Sequence, residues 1–184
     1  MKLFNEYIER FSRIYIKEDQ IKLIDSYLLL AQIYNDKRLE YYLLITKMTY
    51  KEDYINANSL AKEALDKYDC YYIKHGVAVL YALQGKTKIA YDMFKEIVKE
   101  RPNFKYSVNG IGIVARELKK YKESEKACLE AAELDSEFVH PWVNLGDLFL
   151  DMNEKEKAIK AYQKALEIDE NMLEAKEKIE QIKK

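Results

Sequence analysis

The sequence predicts an all-α fold in which about five helix pairs stack as an α-solenoid and a last helix caps the stack. The first observation is that 5 glycines and 2 prolines occur in 184 residues, too few for the many turns of an all-β fold. The second is that apolar residues recur at steps of three and four, the spacing of one helix face. The third is a pattern of small and apolar residues that returns roughly every 34 residues.

Composition narrows the classes of protein and of partner. Hydrophobic residues make up 48% and charged residues 34% of the chain, and the formal net charge is −1 with acids and bases interspersed. A nucleic-acid-binding face would need a basic stripe, and a membrane span would need a long apolar run. The sequence contains neither. The start of the chain carries an acid at Glu6 and lacks the apolar core of a signal peptide. We therefore expect a cytoplasmic protein that binds neither nucleic acid nor membrane.

The clearest unit of the repeat covers residues 139–172. Its first half places an aromatic, an apolar, a small and another aromatic residue on one helix face, and its second half alternates small and aromatic residues. The residues are Trp142, Leu145, Gly146, Phe149, Ala158, Tyr162 and Ala165. This pattern resembles the tetratricopeptide repeat, with Glu170 in place of the closing proline. The resemblance implies two antiparallel helices in each unit and a domain that binds other proteins.

Earlier units follow in the same register. Residues 105–138 and 71–104 are good matches; they keep Val108, Ile111, Gly112, Ala115, Ser124, Cys128 and Ala131, and Val77, Ala78, Tyr81, Ala90, Phe94 and Pro102. Residues 38–70 and 5–37 are degenerate matches; they keep Tyr41, Leu44, Ile45, Met48, Ala57, Ala61 and Ala64, and Ile8, Phe11, Ser12, Tyr15, Ile24, Leu28 and Ala31. We expect one domain over residues 1–184 that ends in a capping helix over residues 173–184.

Each residue type has a physical reason at its position. Small residues such as Gly112 and Gly146 allow the two helices of a pair to approach closely, and a bulky side chain there would push them apart. Gly85 and residues 151–153 are expected at the turns between paired helices, and Pro141 in a first helical turn, where its missing N–H costs nothing. The stripe Met172, Ala175, Ile179 and Ile182 closes the stack, because a single repeat cannot bury its own apolar face.

Catalytic and metal chemistry find little support. Gly110, Gly112 and Ala115 have the spacing of a dinucleotide-binding fingerprint, but no apolar strand precedes them. His75 and His140 are the 2 histidines, and neither they nor the 2 cysteines, Cys70 and Cys128, lie in a metal-binding spacing. Buried, structural thiols are expected. We predict that the protein is not an enzyme and holds no cofactor or metal.

The resemblance also implies a concave groove lined by the first helix of each pair. The groove positions, carried over to this chain, are Leu39, Tyr42, Tyr72, His75, Val79, Tyr106, Asn109, Ile113, Arg116, His140, Asn144 and Asp147. Their middle is aromatic and apolar with Asn109 as a polar group, which suits a peptide or helix that carries apolar anchors. The basic clamp by which some family members grip a C-terminal carboxylate is not reproduced, and Asn144 alone matches it.

Two functions stay open. In the first, the chain is a scaffold or adaptor that holds a segment of a partner protein in the groove. In the second, it is a structural homodimer that associates through Phe4, Phe11 and Tyr15. A second question concerns the aromatic residues of the predicted groove, which either contact a partner or pack against neighbouring helices. An enzyme or nucleic-acid binder on this scaffold has no support from individual residues.

Overall fold

The computed structural model describes residues 1–13 and 17–184; Tyr15, assigned above to the first repeat and to a dimer interface, lies outside them. Every regular element in the described residues is a helix. The helices are α1 (Lys2–Phe11), α2 (Lys17–Ile33), α3 (Lys37–Tyr50), α4 (Tyr54–Lys67), α5 (Tyr71–Leu83), α6 (Thr87–Glu100), α7 (Lys105–Glu117), α8 (Tyr121–Leu134), α9 (His140–Asp151), α10 (Lys155–Ile168) and α11 (Leu173–Lys183). The predicted all-α helical-repeat fold is confirmed. Within residues 1–13 and 17–184, no helix is both long and apolar enough to cross a lipid bilayer.

The chain forms two compact units, Met1–Lys86 and Thr87–Lys184, which we describe one at a time. The first contains α1 to α5 and the second α6 to α11. Their boundary falls inside residues 71–104, the third predicted repeat. The organisation of the whole chain as one domain therefore stays a prediction.

Left-handed residues mark the turns between helices. Glu52, Gly85, Lys119 and Asn153 have φ angles of 61, 72, 58 and 60° and recur at the interval of the repeat. In each turn the next residue donates its N–H to a carbonyl five residues earlier, as Lys86 does to Tyr81 over 2.9 Å. This bond is the Schellman closure of a helix end. A Cβ at Gly85 would meet no atom within 4 Å. Glycine is favoured at this turn because of its positive φ angle and not because space is short.

In the second unit the predicted close approaches lie at the glycines of α7 and α9. The Ser124 hydroxyl of α8 donates to the carbonyl of Gly112 over 2.7 Å, and a Cβ at Gly112 would collide with Cys128 Sγ. A Cβ at Gly146 would lie 2.6 Å from two ring carbons of Tyr162 on α10. At both positions a side chain of the paired helix fills the place that a Cβ would take, so neither glycine leaves room for a larger residue.

The end of the second unit is closed by α11. Met172, Ala175 and Ile179 are buried and pack in one cluster with Tyr162 and Ala165 of α10. Ile182 adds a half-buried contact to the same cluster. The predicted capping stripe thus covers the last helix pair, as a stacked repeat requires.

In the first unit, helix starts are fixed by aspartate caps and one helix buries a small-residue face. The carboxylate of Asp36 accepts from the Leu39 N–H over 3.1 Å at the start of α3, and Asp53 serves α4 in the same way. Helix α4 buries Ala57, Ala61 and Ala64. Helix α2 packs on α3, α3 on both α4 and α5, and α4 on α5.

Candidate functional site

The structure distributes the predicted groove residues over both units. Leu39 and Tyr42 of α3, with Tyr72, His75 and Val79 of α5, form what we call the α3–α5 face of the first unit. The second group belongs to α7 and α9 of the second unit, and we call it the α7–α9 face. Its residues are Tyr106, Asn109, Ile113, Arg116, His140, Asn144 and Asp147.

The α7–α9 face is a half-exposed strip. Its residues recur at steps of three and four along each helix, which places them on one side. Tyr106, Ile113 and His140 are half-buried, and Asn109 is 7% exposed. The strip therefore offers apolar and aromatic area to solvent with a polar group set into it.

An amide pair links the two helices of this face. Asn144 Nδ2 donates to Asn109 Oδ1 over 2.8 Å. Each amide side chain has two donor hydrogens and an oxygen with two lone pairs, so this bond uses part of their capacity. The Asn144 oxygen and the Asn109 nitrogen are not used in this bond.

A compensated ionic network lies one turn further along the same helices. Arg116 Nη1 lies 3.0 Å from Asp147 Oδ2, and Lys178 Nζ of α11 lies 3.0 Å from Asp147 Oδ1. The Tyr162 hydroxyl donates to the same Oδ1 over 2.6 Å. Burial opposes ionisation of Asp147, but the hydrogen bonds from Tyr162 and Lys178 and the charge of Arg116 hold its pKa below the usual value. Arg116 and Asp147 thus neutralise each other inside the unit.

An aromatic group at the start of the face includes residues that the sequence analysis missed. The Phe138 ring lies 5.3 Å from Tyr106 and 5.5 Å from His140, and Phe104 lies 5.5 Å from Tyr106. Lys105 Nζ lies 5.0 Å from the Tyr106 ring centre and 2.5 Å from Asp135 Oδ2. Phe104 and Phe138 directly precede or lie near the starts of α7 and α9, outside the helical pattern that selected the other residues.

The α3–α5 face is covered by the first helix of the chain. Leu39, Tyr42, Tyr72 and His75 are buried and Val79 is half-buried. The Phe4 ring of α1 stacks on Tyr72 with centroids 4.3 Å apart and 20° between the planes. Phe4 also meets Tyr42 edge-on at 5.2 Å. In the first unit the aromatics pack against a helix of their own chain, which is the alternative that the sequence left open.

Burial sets the protonation states of His75 and Cys128, two of the side chains on which catalysis would depend. It lowers the pKa of His75 to about 4 and raises the pKa of the Cys128 thiol to about 12. A neutral imidazole and a protonated thiol are the resting states near neutral pH, and a buried thiol of this kind is a poor nucleophile. Cys70 is also a buried free cysteine. The described residues contain no group of three or more His, Cys, Asp and Glu side chains arranged to hold a metal ion.

Comparison with known proteins agrees with the repeat register. The family model described as "Tetratricopeptide repeat" matches residues 141–172, which correspond to α9, α10 and the turn after them. The chain also resembles the crystal structure of TTC0263, a thermophilic TPR protein of Thermus thermophilus, with a TM-score of 0.76 and 16% identity over 90% of each chain. Residues 141–172 therefore match a tetratricopeptide repeat, and the resemblance that the sequence analysis found in this part of the chain is confirmed.

Other solved tetratricopeptide repeat proteins have the same fold. YrrB, described as a TPR protein with an unusual peptide-binding site, matches with a TM-score of 0.64 and 18% identity over 88% of this chain and 82% of YrrB. The second TPR domain of human RPAP3, solved with an HSP70 peptide, matches with a TM-score of 0.56 and 17% identity over 60% of this chain and 92% of that domain. At these identities the likeness establishes the fold. No curated protein matches this chain in sequence.

Proposed function

We propose that this chain is a protein-interaction scaffold rather than an enzyme, and that it binds a peptide or helix of a partner protein on the α7–α9 face. The observation that carries the proposal is the Asn109–Asn144 pair, 2.8 Å apart, set among the half-buried side chains of Tyr106, Ile113 and His140. The fold is one whose members include YrrB, with its peptide-binding site, and RPAP3, solved with a bound peptide.

The arrangement suits a ligand that is recognised by shape and backbone rather than by charge. Aromatic and aliphatic side chains provide contact area for apolar anchors, and the amide pair provides donors and acceptors for a main chain. Arg116 is already paired with Asp147, so it contributes little net charge to a ligand. We therefore expect peptide binding that changes little with ionic strength, since salt screens exposed charge pairs far more than apolar contacts.

Selection from a random displayed peptide library tests the proposed face. Peptides enriched on the wild-type chain are expected to bind the Ile113→Glu variant at least about tenfold more weakly, because a carboxylate would have to be desolvated against the apolar anchor of the peptide. Isothermal titration measures the dissociation constants, and circular dichroism checks that the helices persist. The matched control is Gln163→Glu, which adds the same charge at an exposed position of α10. Equal loss in both variants, or none in either, would reject the α7–α9 face as the site.

Self-association through the N-terminal aromatics is not favoured by their surroundings. Phe4 is fully buried within its own unit, and Phe11 lies edge-on to Tyr50 at 5.4 Å. Rings that are used inside one molecule are not available to a second copy. We expect light scattering to give the mass of a monomer up to high protein concentration, and a dimer that forms at micromolar concentration would contradict this.

A further inference from the structure

The second half of helix α2 is apolar on every side. Residues 27–34 have the sequence YLLLAQIY, in which Gln32 is the one side chain that is neither aliphatic nor aromatic. Tyr27, Leu28 and Ala31 are buried within the first unit. A helix that is apolar all round normally lies inside a protein, so the other side of α2 carries more apolar residues than the fold requires.

The exposed apolar side chains of α2 form one ridge. Leu29, Ile33 and Tyr34 are 59, 66 and 67% exposed, and Leu30 is half-buried. Residues four apart on a helix are neighbours, so these side chains make two adjacent rows, Leu29 with Ile33 and Leu30 with Tyr34. We call these four residues the α2 ridge. Its exposed surface is on the order of 300 Å², and an apolar patch of that size on a single chain is often functional.

The repeat register shows that the ridge is not required by the packing of the fold. Leu29 directly follows the buried residue Leu28, and the equivalent residues of the other second helices are Lys62, Lys95, Leu129 and Gln163. Ile33 lies two residues after the buried Ala31, and its equivalents are Asp66, Lys99, Glu133 and Glu167. Helices α4, α6 and α10 therefore carry charged or amide side chains at both positions, and α8 has a single apolar residue there. Helix α2 is apolar at both, which contacts within the repeat do not explain.

The surroundings of the α2 ridge carry little net charge. Residues 17–40 contain 4 Lys and Arg and 5 Asp and Glu. Several of these charges are paired within the chain: Lys22 with Asp19, Asp25 with Lys47, and Lys37 with Glu40. Exposed ion pairs of this kind add little to binding. The ridge is therefore complementary to an apolar surface whose contacting side chains are uncharged.

The backbone at this end of α2 is closed, which decides the shape of the partner. The Tyr34 N–H donates to the Leu30 carbonyl over 2.9 Å, and the Asp36 N–H donates to the Ala31 carbonyl over 2.8 Å. Because these carbonyls are already bonded, an extended peptide has no backbone edge with which to pair. The ridge instead offers rows of side chains at four-residue steps, and such rows pack into the grooves of another α-helix.

A second copy of the chain needs more surface than the ridge provides. A stable dimer buries about 800 Å² on each subunit, more than twice the exposed area of the ridge. The remaining area would have to come from the charged residues around it. A single helix that lies along α2 needs only the ridge for its apolar side, and binds with the weak, reversible affinity of a small interface.

We propose that the α2 ridge is a docking site for an amphipathic helix of a partner protein, whose contacting side chains are aliphatic or aromatic and uncharged. The partner helix lies along α2 and places apolar side chains, at steps of three and four, between the rows of the ridge. The site lies on the second helix of a pair in the first unit. It is separate from the α7–α9 face and stands whether or not that face binds a peptide.

A displayed library of amphipathic helices with randomised residues on one side provides the probe. Helices enriched on the wild-type chain are expected to bind it with micromolar dissociation constants, measured by fluorescence anisotropy. They should bind the variant Leu29→Lys/Ile33→Lys at least about tenfold more weakly, because two ammonium groups replace the apolar contact. Helix α6 carries lysine at both equivalent positions, Lys95 and Lys99, so the variant should keep its helices in circular dichroism and unfold within about 2 °C of the wild type.

The matched control is Leu129→Lys, which makes the same change at the equivalent position of α8, where the leucine is 40% exposed. It should leave the affinity of the selected helices unchanged. Equal losses in the control and the double variant, no loss in the double variant, or failure to enrich any helix would overturn the proposal. A double variant that unfolds would show that Leu29 and Ile33 belong to the core, with the same consequence.

Two further measurements separate the other occupants. Sedimentation of the wild-type chain at micromolar concentration is expected to give a monomer, and a dimer that is lost in Leu29→Lys/Ile33→Lys would assign the ridge to a second copy. Phosphatidylcholine vesicles are expected to leave the chain unbound, and binding that is lost in the same variant would assign the ridge to a lipid surface. Either result would overturn the proposal. Selected helices that lose affinity for Ile113→Glu instead would lie on the α7–α9 face, which would overturn this inference while supporting the proposed function.

Discussion

Replacing Gly146 by leucine is expected to reduce the free energy of unfolding of the second unit by about 3 kcal/mol or more, because it overpacks a filled core. Even the first atom of the new side chain would lie 2.6 Å from Cδ1 and Cζ of Tyr162. That ring is fully buried, and its hydroxyl is held 2.6 Å from Asp147 Oδ1. The ring cannot move aside without giving up this hydrogen bond. Urea unfolding followed by circular dichroism measures the change.

The matched control for this substitution is Lys160→Leu, at an exposed position of α10. It should change stability by less than about 0.5 kcal/mol. Lys157 is less suitable as a control because its ammonium group pairs with Glu154 at 2.6 Å and lies 5.5 Å from the centre of the Phe149 ring. In a double-mutant cycle, Gly146→Ala should destabilise the Tyr162→Leu variant less than it destabilises the wild type, since the smaller partner relieves the collision. Equal losses for Gly146→Leu and Lys160→Leu would mean that the repeat register is wrong.

The contact between Gly146 and Tyr162 illustrates what a repeat register predicts well. Both residues fall on helix faces that the spacing identifies, and a small residue opposite a large one is a local complementarity within one helix pair. The same reasoning placed Gly112 against α8 and the stripe of Met172 and Ala175 on the last pair. These features depend on neighbours in sequence, so periodicity alone is enough to predict them.

The state of the predicted groove could not be predicted in the same way. Apolar periodicity shows that a helix face is covered, but it does not show what covers it. Tyr42 and Tyr72 have the same spacing whether they meet a ligand, a neighbouring helix or α1. The stack of Phe4 on Tyr72 joins residues far apart in the chain, and it depends on the direction in which α1 leaves α2. No residue pattern in the sequence specifies that direction.

For the charged part of the α7–α9 face, the sequence predicted the positions of the residues but not their pairing. Arg116 and Asp147 were both assigned to the groove, but as separate members of it. Their ion pair, and the third partner Lys178 on the capping helix, arise because three helices meet at this point. Long charged side chains can reach several partners from one position, so backbone register constrains them less than it constrains a glycine.

Acidification from about pH 7 to about pH 4 is expected to cost the first unit about 3 kcal/mol through His75 alone. Burial lowers the pKa of His75 to about 4 in the folded state, whereas an unfolded histidine titrates near its ordinary value of about 6.5. Between these values the unfolded chain binds a proton that the folded chain does not, so stability falls as the pH falls. The free energy of unfolding falls by about 1.4 kcal/mol for each pH unit between the unfolded and the folded pKa, which gives a total of about 3 kcal/mol.

The variant His75→Gln isolates this contribution, because its stability between about pH 6.5 and about pH 4 should fall by about 3 kcal/mol less than that of the wild type. Urea unfolding at a series of pH values provides the comparison. Carboxylates whose pKa is lowered in the folded state, such as Glu63 and Glu123, lose their contribution at lower pH in both proteins and cancel in the difference. The control His140→Gln removes the other histidine, which is half-buried, and should keep the decline that His75 causes. If His140→Gln flattens the pH profile and His75→Gln does not, His75 is not the group whose burial makes the fold sensitive to acid.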